Sequence, residues 1–277
     1  MDQSAGLHRP GYLFEDQHGS LFVTDNEDYR VKKFDVDGKL VQVYGNGKGK
    51  ALGEFEAPMY ASVDPEGNVW VPDLSLQRLA IFEEDGTLQR SIPLDYRPYG
   101  LRHLSDGSYF VYIVQGGTGP QSGMFGLYRD AELLTQFGAT DLDPTTAAGR
   151  VIAVDGDLVY SPARFEFIVR YDERGNVVYA RETLQQEQES VLEDQSAMQG
   201  YPLMLKASLG HQGGRIYISP WVLSEKRRLL VIDVYRAADG SYEFSFELPE
   251  PRSGMDVGRD FIYVVRDTAV VIYRLSL

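Results

Sequence analysis

The feature that most constrains this chain is a repeat of 48 residues near its beginning. The stretch PMYASVDPEGNVWVPDLSLQRLAIFEEDGTLQRSIPL (58–94) matches PGYLFEDQHGSLFVTDNEDYRVKKFDVDGKLVQVYG (10–45) position by position. Gly19 and Gly67 are 48 residues apart, and so are Gly38 and Gly86. Agreement at two turns is far more restrictive than a match at either alone. Within each copy, short β-branched and aromatic runs end at Asp/Gly turns: Tyr60–Val63, Val69–Val71, Arg78–Phe82 and Leu88–Ile92 in the second copy. Four strands of ~4–6 residues at this spacing read as an antiparallel meander. Such a meander is apolar on both faces, so it is stable only when stacked or closed into a ring.

The remaining chain carries four looser copies. Approximate blades fall at 10–45, 58–94, 98–137, 149–182, 203–248 and 253–277, with a Gln/Glu-rich segment at 183–202 read as a short helix or irregular insert. Six units in 277 residues average about 46 each, the size of a four-stranded propeller blade. The expectation is all-β: one six-bladed β-propeller over 1–277, built of four-stranded antiparallel blades. The last blade shows only three strands (MDV, FIYVVR, AVVIYRLSL). SAGLHRP, before blade 1, matches the inter-blade segment ALGEFEAP better than a strand. The missing strand is therefore expected upstream of Met1. The alternative is a blade closed by the first few residues or left at three strands.

Charge narrows the partners. With 41 acidic and 27 basic residues the net charge is −14, which argues against a nucleic-acid backbone, since phosphate binding needs a basic stripe. There is no cysteine, so disulfides, thiolate metal sites and thiol nucleophiles are excluded. No apolar run approaches the ~18 residues of a membrane span. MDQSAGLHRP is not a signal peptide.

The inter-blade segment Gly53-Glu54-Phe55-Glu56-Ala57-Pro58 and the run Asp64-Pro65-Glu66-Gly67-Asn68-Val69-Trp70-Val71-Pro72-Asp73 resemble the G-x-F/Y-x-x-P and D-x-x-G-N-hydrophobic-x-V-x-D patterns of NHL-repeat six-bladed β-propellers. They are most similar to exported or lipid-anchored bacterial ones. The resemblance is strongest over 10–94 and fades beyond 183. It implies a fold, and an exported location (periplasmic, cell-surface or extracellular) with the signal absent from this chain; the alternative is a cytoplasmic protein. These motifs are structural and carry no activity with them.

Function must then come from the channel mouth, where the inter-blade loops and the loops between second and third strands converge. Tyr12 and Tyr60 share a repeat position on the innermost strand, and Tyr99 lies one residue from it. They read either as an aromatic ring around the mouth, suited to a sugar or peptide, or as packing between blades. Arg102 and Lys206 share a later innermost position, as receivers of a carboxylate or phosphate or as partners of local carboxylates. Asp64, Asp155 and Asp256 end or approach the ends of innermost strands; converging, they would hold Ca²⁺, whereas at turns Asp caps the local backbone. Of His8, His18, His103 and His211, only His103 is expected on an inner strand, with His18 and His211 in turns. That falls short of the about three ligands a histidine metal centre needs. The candidate ligand site is Tyr12, Tyr60, Tyr99, Arg102, His103 and Lys206, with no cofactor assigned and calcium the ion weighed. The reading is a non-enzymatic platform for a protein, peptide or glycan. The alternative is a metal-dependent lactonase, hydrolase or lyase working in the channel.

Overall fold

The computed structural model describes residues 6–104, 106–114, 124–138, 149–162, 167–184, 208–219, 229–249, 253–266 and 268–275. It is all-β, with no helix among the described residues. Blade 1 is β1 (Pro10–Glu15), β2 (Leu21–Asp25), β3 (Arg30–Phe34) and β4 (Leu40–Tyr44). Blade 2 is β5 (Ser62–Val63), β6 (Val69–Asp73), β7 (Arg78–Phe82) and β8 (Leu88–Pro93). Blade 3 is β9 (Arg97–His103), β10 (Tyr109–Val114), β11 (Phe125–Arg129) and β12 (Glu132–Phe137), and blade 4 is β13 (Gly149–Val154), β14 (Asp157–Pro162), β15 (Phe167–Tyr171) and β16 (Val177–Glu182). Blade 5 is β17 (Ser208–Gln212), β18 (Arg215–Ser219), β19 (Leu229–Arg236) and β20 (Tyr242–Pro249), and blade 6 is β21 (Ser253–Val257), β22 (Phe261–Arg266) and β23 (Ala269–Arg274). Each blade is a separate meander in sequence order, and blade 6 has three strands among the described residues.

The turns form where the Asp/Gly signals stand. Gly67 takes φ +90°, and its N–H bonds the carbonyl of Asp64 at 3.0 Å. Asp155-Gly156 has positive φ at both positions (52° and 89°), the two-residue hairpin turn whose twist suits flanking strands. Tyr29 and Gln77, 48 residues apart, both take left-handed φ (57° and 49°) between second and third strands, so the repeat extends to backbone conformation.

Six apolar clusters fill the six seams between blades. Phe22, Tyr44, Phe55 and Phe82 lie between blades 1 and 2, Trp70, Ile81, Leu101 and Tyr109 between 2 and 3, and Phe125, Phe137, Leu158 and Tyr160 between 3 and 4. Ile152, Ile168, Leu209 and Tyr235 join 4 to 5, Tyr217, Val234, Met255 and Ile262 join 5 to 6, and Leu13, Val23, Tyr263 and Val265 close 6 onto 1. That last cluster makes the array a ring.

The last Asp of the repeat motif ties the ring together. Asp73, fully buried, accepts the N–H groups of Glu56 (2.8 Å) and Ala57 (3.2 Å) from the inter-blade loop, and of Ser75 (3.0 Å) and Leu76 (2.9 Å) from its own turn. Its counterpart Asp25 accepts those of His8 (2.8 Å), Arg9 (3.0 Å) and Glu27 (3.2 Å). Gly6–Arg9 therefore run as an inter-blade loop, as the likeness to ALGEFEAP predicts.

Two expectations are corrected. The first strand of blade 2 is two residues, Ser62–Val63, rather than Tyr60–Val63. The entering chain first touches β6 at an isolated bridge, Pro58 to Asp73, with the Met59 N–H on the Pro72 carbonyl; the Met59 carbonyl then accepts from Thr24, and regular pairing resumes only at Ser62. His211 lies inside β17, opposite Ile216, not in a turn. The turn is confined to Gly213-Gly214, both at positive φ, so the strand runs through Gln212. The 183–202 insert, apart from Thr183 and Leu184, lies outside the described residues, as do the loops 115–123, 163–166 and 220–228.

Candidate functional site

The innermost strands β1, β5, β9, β13, β17 and β21 surround the channel. At the end where the inter-blade loops enter, the rings of Tyr12 and Tyr60 meet with centroids 4.1 Å apart, inclined by 41°. The Arg150 guanidinium sits over both, 5.2 Å from the Tyr12 centroid and 4.6 Å from that of Tyr60. The Arg102 guanidinium lies 5.1 Å from the Tyr60 centroid. Two cations thus bracket one ring in a desolvated setting, where cation–π attraction reaches about 2 kcal/mol.

Arg102 donates to the carbonyl of Leu101 at 2.8 Å, and no described carboxylate lies within 4.0 Å of it. Burial pulls the pKa of both guanidiniums down, Tyr12 and Asp256 opposing this at Arg150 and Asp256 alone at Arg102. Asp256, on β21, is the complementary group. Burial pushes its carboxyl up to about 7, against the pull of Arg102 and an N–H bond from Val257. Near neutral pH this aspartate is divided between its two forms, and the charge of the channel varies with pH.

Of the expected site residues, the structure brings Tyr12, Tyr60 and Arg102 together. Tyr99 is near them on β9, but its ring packs on Tyr112 at 5.7 Å in the cluster between blades 3 and 4. His103, next to Arg102 at the last position of β9, turns its ring away from this cluster. It rests on Trp70 (4.9 Å) and Tyr109 (5.3 Å), with Nδ1 3.1 Å from Ser62 Oγ. Burial drives its pKa down to about 4 against the nearby Asp64, so it is neutral at pH 7. Lys206 lies outside the described residues. Arg150 was missed by sequence reasoning. Its signal is a cation opening the apolar inner strand RVIAVDG, one that no repeat alignment picks out because blades 3 and 4 depart from the 48-residue spacing.

The three aspartates weighed for calcium divide by role. Asp64 accepts the N–H of Asn68 (2.7 Å), its side-chain amide (2.8 Å) and Trp70 Nε1 (2.8 Å), a turn and core role. Asp155 sits in its hairpin turn. Asp256 alone joins the channel cluster. Elsewhere, His8, Asp25 and Asp28 approach as a metal-capable group, but the buried Lys32 ammonium already stands among them, 2.8 Å from Asp25 and 2.7 Å from Asp28.

Between blades 1 and 2 and the end of β9 lies a cavity of about 610 Å³ walled by Glu15, Asp16, Asp64, Glu66, Glu84 and His103. Its carboxylates are largely engaged. Glu15 accepts from the Tyr263 hydroxyl (2.6 Å), Asp16 from the N–H groups of His18 and Ser20, and Glu84 pairs with Lys33 (2.9 Å).

Comparison with known proteins agrees with this architecture. No family model matches the chain. NHL repeat-containing protein 3 of Mus musculus is 28% identical over 111 residues, 37% of this chain and 31% of that protein. The chain is a six-bladed β-propeller with an NHL-repeat likeness. Among solved structures, a Bacteroides fragilis protein described as exported superposes with TM-score 0.67 at 13% identity, over 95% of this chain and 81% of that one. A DUF4221 family member from Bacteroides vulgatus gives 0.65 at 10%, over 99% and 96%. Virginiamycin B lyase from Staphylococcus aureus gives 0.58 at 12%, over 100% and 86%. At these identities the likeness is one of fold. No helix among the described residues is long and apolar enough to cross a membrane.

Proposed function

We propose that the protein is a non-enzymatic binding propeller that receives a protein, peptide or glycan at the loop-entry end of its channel. The flat body of the ligand lies against Tyr12 and Tyr60, and an anionic group on it meets Arg102. The observation that carries this is the guanidinium of Arg102, fixed over the Tyr60 ring with one backbone bond and no described carboxylate in ion-pair range. An arginine oriented by an aromatic face presents its remaining donors in a planar fork that matches a carboxylate. An exported location accords with the neighbour described as exported; cell fractionation of the native producer tests it.

Peptide and acidic-glycan arrays identify the ligand, and calorimetry tests the site. Arg102→Ala and Tyr60→Ala are each expected to weaken binding about tenfold or more, the scale of a desolvated charged or aromatic contact. Wild-type affinity in both variants overturns the proposal.

The pH dependence has a definite sign. The Asp256 carboxyl, raised to about 7, is neutral below that pH and negative above it. Its charge opposes an anionic ligand, so affinity is expected to fall as pH rises through 7. Asp256→Asn should flatten this dependence, measured by calorimetry between pH 5.5 and 8.5.

A further inference from the structure

We infer that the channel site takes its ligand end-on, and that the ligand is the C-terminus of a peptide, its free carboxylate at Arg102 and an aromatic last side chain against Tyr60 and Tyr12. This rests on the binding site proposed above and adds which part of which ligand enters it.

Six blades in a closed ring place blade 1 opposite blade 4 and blade 3 opposite blade 6. Side chains from these opposed blades meet across the axis. Arg150 belongs to β13 of blade 4, yet its guanidinium lies 5.2 Å from the ring of Tyr12 in blade 1. It is 4.6 Å from the ring of Tyr60, at the entry to blade 2. Arg102, in blade 3, is 5.1 Å from that same ring, and the carboxylate of Asp256 in blade 6 acts on both guanidiniums. Side chains from blades 1, 2, 3, 4 and 6 therefore converge on the axis and close it as a floor. Tyr12 and Arg150 are buried in that floor, while Tyr60, Arg102 and Asp256 keep part of their surface. A chain cannot thread past such a closure. What reaches it from the loop side is a group at the end of a ligand.

The chemistry of the floor selects that group. Two guanidiniums stand against one carboxylate, so an anion is favoured, and the fork of Arg102 fits a carboxylate. The tyrosine faces beside it favour a flat apolar neighbour. A peptide ending in an aromatic residue carries both features on its last residue. An internal aspartate or glutamate would bring the chain on both sides of it into the narrow channel. A terminal uronic acid offers the same carboxylate, but its ring hydroxyls need partners of their own once desolvated. The described residues of the floor supply Asp256 as the one carboxylate, and no side-chain amide.

The probe is a pool of hexapeptides with a fixed C-terminal phenylalanine and random preceding positions, prepared once as free acids and once as C-terminal amides. Each pool is passed over the immobilised intact protein, and retained sequences are titrated by fluorescence anisotropy. Retention of the acids and not of the amides is expected. For a retained sequence, amidation, or extension by two glycines beyond the phenylalanine, should weaken binding at least about tenfold, the scale of a charge-assisted contact. Replacing the terminal phenylalanine by alanine should cost about tenfold as well. Arg102→Ala should remove the difference between acid and amide. Amidation alters the peptide and not the protein, so this readout does not depend on a variant that folds. Equal binding of acid and amide, or tolerance of the extension, with affinity still lost in Arg102→Ala, overturns the inference and leaves the site standing. A uronic-acid oligosaccharide that binds through Arg102 where no peptide is retained does the same. If neither peptide nor oligosaccharide binds, or binding is indifferent to both Arg102→Ala and Tyr60→Ala, the site falls and the inference with it.

Discussion

The seams that flank blade 1 are built from the same repeat and closed differently. Towards blade 2, Tyr44 and Phe55 fill the space between sheets, and Gln42 and Lys33 reach across to the turn at Glu84 and Asp85. Towards blade 6 no described residue takes the place of Tyr44, and Leu7 stands in for Phe55. The two loops are anchored by different cations. Lys32, where blade 2 has Ala80, sends its ammonium to the carbonyl of Gly6 (2.6 Å) and to Asp25 and Asp28. In blade 2 the equivalent carbonyl, that of Glu54, is bound by Arg78 instead. Both loops are thus held by a buried cation at the same backbone oxygen, from side chains two repeat positions apart. The comparison teaches that this fold conserves a place for positive charge rather than a residue.

The largest expected effect is at the loop anchors. Asp73→Ala removes the acceptor of four N–H groups and is expected to destabilise by about 3–4 kcal/mol, since each buried donor left unmet costs about 1–3. Asp25→Ala also strips one anion from the buried Lys32, which keeps Asp28, and should cost as much or more. Denaturant titration of both variants decides this. An Asp25→Ala loss well below that of Asp73→Ala would show that the Lys32 anchor does not hold the N-terminal loop. Next comes Tyr44→Ala, expected to cost about 3–4 kcal/mol as a fully buried aromatic. Leu7→Ala, in a seam that already contains a cavity, should cost about 1–2 kcal/mol. Equal losses would mean the two seams are packed alike.

How much of this was legible depends on which force sets each position. The turns at Gly19, Gly38, Gly67 and Gly86 were readable because a left-handed backbone demands glycine locally, whatever surrounds it. The three-stranded last blade followed from counting apolar runs between such turns. Asp64 and Asp155 were readable as turn residues because each stands just ahead of a turn glycine, Gly67 and Gly156. Arg150 was not, because reaching the Tyr60 ring depends on how blade 4 is rotated about the axis, a property of ring closure that leaves no local periodicity. His211 was misplaced because Gly213-Gly214 suggests a longer turn than the two residues that a tight hairpin needs. Asp256 was noticed only as one of three carboxylates. What separates it is burial among two arginines, visible only once the strands of blades 3, 4 and 6 face one axis.

The smaller predictions concern charge at the two seams. The Asp25 carboxyl is pushed up by burial, but the bond from Lys32 and the N–H bonds of Arg9, His8 and Glu27 outweigh this and bring it down to about 2. A carboxylate depressed in the folded state contributes stability that is present above its ordinary pKa of 3.8 and is lost as pH falls towards 2. The contribution is about 2 kcal/mol, and Asp25→Asn should remove this part of the acid transition. At the other seam, Lys33 and Glu84 meet at 2.9 Å with the glutamate 75% exposed. Such a pair is worth below about 0.5 kcal/mol, and Lys33→Met should change stability by no more than that, with little dependence on salt. A larger, salt-sensitive loss would mean that the bridge over Phe22, whose ring lies 5.5 Å from the Lys33 ammonium, holds the seam electrostatically. The two sides of blade 1 would then differ only in where the cation is placed, at the loop towards blade 6 and at the outer rim towards blade 2.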